Sequence, residues 1–91
     1  MNDGLPARVR ALTIELTERA ASGDAQAALA LLEHSMARGH RRIALLRYLH
    51  AEHLRAPLQA HHHDYVRRVA QRLSADTLAG LAAEARRRRG T

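Results

Sequence analysis

The sequence predicts an all-α fold, a compact bundle of about five short antiparallel helices joined by tight turns. Apolar residues recur at helical spacing through almost the whole chain, and no stretch alternates with the period of two that a half-buried strand requires. Glycine or proline punctuates the pattern at short intervals, which sets the turns.

The first helix is expected from about Pro6 to Ser22, with Val9, Leu12, Leu16 and Ala20 on one stripe and Gly23 as its C-terminal stop. Asp24 caps the second, roughly Ala25 to Arg38. Its Ala25, Ala28, Leu29, Leu32 and Met36 share a face that Ala27 and Leu31 widen, which marks it as the most buried helix; Gly39 ends it. The third, about His40 to Ala56, presents Ile43, Leu46, Leu49 and Leu54 and stops before Pro57, because the residue preceding a proline is pushed out of the helical region. Pro57 opens the fourth, which turns Leu58, Tyr65, Val66, Val69 and Leu73 inward. Ser74 is the N-cap of the fifth, with Leu73 and Leu78 as a hydrophobic staple. Leu78, Leu81, Ala82 and Ala85 carry that helix into Arg86–Arg89, whose cations suit the negative end of the helix dipole. The expected organisation is one helical domain over residues 1–91, frayed at 1–5 and 87–91.

With 91 residues and no cysteine, the core must come from packing alone. Nineteen alanines and fourteen leucines, with no Phe or Trp, make that core thin. A chain of this length buries only about 60–65% of its unfolded surface, so a homo-oligomer such as a homodimer, or a protein partner, is the expected source of further burial. The N-terminal stretch has no apolar signal region and no later stretch has the length of a membrane span, so a cytoplasmic protein without a membrane partner is expected.

The net charge of +6 is uneven: residues 1–37 hold three Arg against five acids, residues 38–91 twelve Arg against four. A basic surface attracts phosphate backbones and acidic proteins alike. The phosphate-binding candidates are Arg38, Arg41, Arg42, Arg67, Arg68, Arg86, Arg87, Arg88 and Arg89. All fifteen basic residues are arginine and none is lysine, a pattern that coding bias in a GC-rich genome also produces and that weakens the case for DNA or RNA. A helix-turn-helix laid over residues 28–49 places His34 and Ser35 where small apolar residues belong and Leu45 where a base-reading side chain is needed.

Five of seven histidines lie between His50 and His63. At 100° per residue His50, His53 and His62 fall on facing apolar stripes either side of Pro57, and three converging imidazoles suit Zn, Ni or Cu. The alternatives are amphipathic fillers hydrogen-bonded at a helix corner, or a pH-sensitive hinge. No cofactor is otherwise implied. No nucleophile elbow, phosphate loop or His-Glu-x-x-His is present, so no enzyme is expected. Residues 20–40 resemble the small-residue hairpin of Sel1-like and tetratricopeptide repeats, but without aromatic anchors or a second copy they carry no family assignment. The expected function is that of a small non-enzymatic helical adaptor or regulatory subunit, whose protein-contact patch contains the off-stripe residues Ile14 and Leu45. A DNA- or RNA-associated regulator using the arginines is the alternative, and a histidine-cluster metal protein the second.

Overall fold

The computed structural model describes residues 7–90, and side chains from 10 to 88. Among these residues the chain is all-α, with helices α1 (Ala7–Ala21), α2 (Ala25–Arg38), α3 (Arg41–His53), α4 (Ala60–Ala70) and α5 (Ala75–Gly90) and no strand. The expectations for Pro6, for Val9 and for a frayed segment at residues 1–5 lie outside the described residues, whereas α5 runs helically through the arginines to Gly90. No described helix is long and apolar enough to cross a membrane.

Local chemistry places each boundary. Gly23, at φ 101°, closes α1: its N–H donates to the Ala20 carbonyl at 2.9 Å and the Asp24 N–H to the Arg19 carbonyl at 3.0 Å. Asp24 then caps α2, accepting the Ala27 N–H at 3.1 Å on one carboxylate oxygen and the Arg19 Nε at 3.0 Å on the other. Gly39, at φ 73°, ends α2 with the His40 N–H on the Ser35 carbonyl. At α5 the Ser74 hydroxyl accepts the Thr77 N–H, and Leu73 and Leu78 both pack against one core cluster, as the staple requires.

The break at Pro57 is wider than its sequence signal. α3 ends at His53, three residues early, because Arg55 takes φ 60° and the Ala56 N–H reaches back to the Ala51 carbonyl at 2.9 Å. This is a left-handed helix stop built on a non-glycine residue. Pro57 therefore stands in a six-residue connection and does not open α4.

The core is two clusters that share α3. Ala20, Ala27, Ala28, Leu31 and Ala51 form the first, between α1, α2 and α3; Leu45, Leu46, Val69, Leu81 and Ala85 form the second, between α3, α4 and α5. α2 has the most buried residues of the described helices, five against four in α3, as its sequence implies, while α3 touches α2, α4 and α5 and so joins the two clusters. Ala44 and Ala51 are fully covered, and their small side chains let α2 approach closely. Leu45 corrects the sequence reading: it is 5% exposed, a core residue and no contact patch, because α3 is covered on two sides and the single-stripe assumption fails there. Leu12 and Ile43, expected inside, are 53% and 41% exposed. α1 meets α2 through Leu16 and Ala20 near its C-terminal end, and Ile43 stands in the first turn of α3.

Ala51→Leu should cost about 1–3 kcal/mol by overpacking the α2–α3 contact, whereas Leu12→Ala should change stability by less than about 0.5 kcal/mol, both read by urea denaturation. The Ala27 amide, then the Arg19 side chain, hold the Asp24 carboxyl below its ordinary range. A folded value below the unfolded one gives stability that is complete above the unfolded carboxylate range and is lost as pH falls through the folded value. Thermal melts of Asp24→Asn should therefore depend less on pH through the acidic range than those of the parent chain.

Candidate functional site

The three consecutive histidines at the start of α4 have three different environments. His62, 1% exposed, is with Leu32 the largest fully buried side chain. Its Nδ1 accepts the backbone N–H of Gln59, the residue before α4, at 2.9 Å, and its Nε2 lies 2.9 Å from Glu33 Oε2 on α2. An Nδ1 that accepts an amide proton carries none itself, so the ring proton sits on Nε2 and is donated to the carboxylate. His62 thus closes half of a capping box from the third helical position, the place that Glu or Gln ordinarily takes. His61 is exposed, its ring 3.9 Å from that of His62. His63 turns to α3, where Tyr48 Oη and His63 Nδ1 lie 2.9 Å apart and the rings meet edge to face. Burial, then the charge of Glu52, push the Tyr48 phenol above its ordinary value.

This arrangement displaces the expected metal site. The structure does not bring His50, His53 and His62 together; among the described residues, the group with metal-ligand spacing is Glu33, His61 and His62. Its donor set does not fit a metal well. The lone pair of His62 Nδ1 is engaged by the Gln59 amide, and Nε2 bears the proton that Glu33 accepts. A cation would have to break the helix cap or strip the ring to imidazolate. The geometry is that of the filler alternative, a carboxylate–imidazole tie between α2 and α4. Sequence spacing alone does not put Glu33 against a histidine 29 positions away.

His50 and His53 instead line a groove between α1, α3 and α5, with a cavity volume of about 280 Å³. Its wall includes Thr17, Ala20 and Ala21 of α1, Leu46 and Arg47 of α3, and Ala85 and Arg88 of α5. Arg88 is paired with Glu84 at 2.7 Å. Arg47 is half-buried, and no carboxylate pairs with it among the described residues. Burial, then the neighbouring charge of Arg88, push its guanidinium below the ordinary value, though an arginine remains charged at neutral pH. Ile14, 60% exposed, lies one turn before Thr17 and two before Ala21 on the same face of α1, which carries that face on past the groove.

The other arginines divide. Arg67 is held by Asp64 at 3.0 Å; Arg38, Arg42, Arg86 and Arg87 are exposed; the Arg89 side chain lies outside the described residues. Arg41 and Arg68 come together with Arg72 and Tyr65 around a second, shallower pocket. Arg72 belongs to the Arg67, Arg68 and Arg72 cluster that the sequence shows on the fourth helix, whereas Arg47 and Tyr65 carry no binding signal there beyond the position of Arg47 between His50 and Ala51 on a helical wheel.

His62→Ala should lower stability by about 2–4 kcal/mol, since it removes a cap acceptor and leaves a cavity where a fully buried ring stood, while His61→Ala should change it by less than about 0.5 kcal/mol. Added zinc should leave the melting temperature of the parent chain where it is; a saturable rise would show that His61, His62 and Glu33 yield their hydrogen bonds to a metal. Compared with known proteins, the chain matches no family model, no curated protein and no solved structure, so its function is read from these sites themselves.

Proposed function

We propose that the chain is a small non-enzymatic helical adaptor or regulatory subunit, and that it acts by receiving an acidic segment of a protein partner in the groove between α1, α3 and α5. The observation that supports this reading is Arg47, a half-buried guanidinium in the groove wall without a carboxylate partner among the described residues. Burying an arginine part-way costs hydration that a counter-charge restores, and the Glu84 ion pair answers Arg88 but not Arg47. A Glu or Asp side chain of the partner supplies that charge. His50 and His53 add hydrogen-bonding groups along the same wall, and the apolar lining from Leu46, Ala20 and Ala85 suits an aliphatic neighbour of the acid. Ile14 extends the contact along α1. Leu45 has no part in it.

A synthetic peptide alternating Glu and Leu is the probe. It should bind with an affinity that falls as salt rises, because the pairing is electrostatic. Arg47→Glu should weaken binding by about tenfold or more and Ile14→Asp by a smaller factor, with far-UV helicity unchanged in both. Leu45→Asp, by contrast, should unfold the chain. Equal binding by Arg47→Glu and the parent protein would overturn the reading.

A further inference from the structure

We propose that Arg41, Arg68, Arg72 and Tyr65 form a second site, distinct from the groove, that binds a single phosphate group. These four residues and Val69 line one pocket of about 200 Å³ where the start of α3 meets the end of α4. The sequence builds one wall directly: Tyr65, Arg68 and Val69 follow the i, i+3, i+4 spacing of one face of α4, and Arg72 stands in the turn just after that helix. Arg41, the first residue of α3, supplies the other wall.

Three features of this place call for an anion. The first is the charge itself, since none of the three guanidinium groups has a carboxylate partner among the described residues. The second is the Tyr65 hydroxyl, a buried polar atom without a hydrogen-bond partner, and so a donor that lacks an acceptor. The third is the start of α3. His40 makes no side-chain cap, the first turn holds no acid, and Arg41 and Arg42 stand at the positive end of the helix dipole, the reverse of the favoured charge. Arg68 needs no such explanation, because it lies in the last turn of α4, where a cation suits the dipole. A phosphate held here pairs with the guanidinium groups, offers oxygens to the tyrosine and to the free first-turn amides, and reverses the charge at the helix start. The pocket is small and gathers three arginines at one place, which fits one phosphate group, free or on a small monoester, better than a nucleic-acid backbone.

The test is an NMR titration of the full chain with inorganic phosphate, with glycerol phosphate and with a duplex oligonucleotide, against chloride at matched ionic strength. Saturable shifts of the Arg41, Arg42 and Ile43 amides and of the Tyr65 ring are expected with phosphate or glycerol phosphate, and the tighter of the two identifies the natural source as free phosphate or a monoester. Arg68→Ala and Arg72→Ala, both at exposed positions, should each raise Kd about tenfold with the spectrum otherwise intact. Tyr65→Phe should weaken binding by a few-fold without lowering the melting temperature of the ligand-free chain. Shifts that chloride reproduces, unaltered affinity in both arginine variants, or binding of the duplex alone would overturn the proposal.

Discussion

The proton between His62 Nε2 and the Glu33 carboxylate, with the Gln59 amide on the other ring nitrogen, decides where α4 lies. The connection that delivers α4 is six residues long, irregular, and contains a left-handed arginine, so its backbone does not by itself dictate a direction. The buried imidazole does. One nitrogen starts the helix and the other fastens it to α2, while His63 and Tyr48 add a second tie to α3. Through this placement α4 and the turn after it bring Tyr65, Arg68 and Arg72 to Arg41, and leave α3 and α5 to form the groove with α1.

A polar anchor matters here because the apolar core is modest. Alanine contributes four of the five buried residues in the cluster between α1, α2 and α3, so close helix approach and not large side-chain volume holds that half together. The second half, with Leu45, Leu46, Val69 and Leu81, is the more usual kind. α3 joins the two and is covered around most of its central turns. The same crowding half-buries Arg47 and leaves it short of a counter-charge.

Local signals made much of the fold legible. Gly23, Asp24, Gly39 and the Leu73-Ser74-Leu78 staple each act within a few residues, and each sets the boundary that its chemistry implies. The inward set Tyr65, Val66, Val69 and Leu73 also follows from periodicity, because α4 has one covered side. What failed was non-local. A helical wheel assumes one buried stripe, so it misplaced Leu45 and Ile43 on the central helix and Leu12 on a helix that is only partly covered. His62 could be read as inward, but its partner could not, since Glu33 is set opposite it only once α2, α3 and α4 have packed. The convergence of His50, His53 and His62 failed for the same reason: His62 meets Glu33 of α2, while His50 and His53 line the groove between α1, α3 and α5.

The account is tested most directly by the protonation of one ring. A long-range proton–nitrogen correlation spectrum of the uniformly labelled chain should show His62 with Nδ1 bare and the proton fixed on Nε2, slow to exchange with solvent. A proton on Nδ1, or a ring averaging between its two tautomers, would mean that the imidazole neither caps α4 nor ties it to Glu33, and would contradict the placement of that helix and of the arginines it carries.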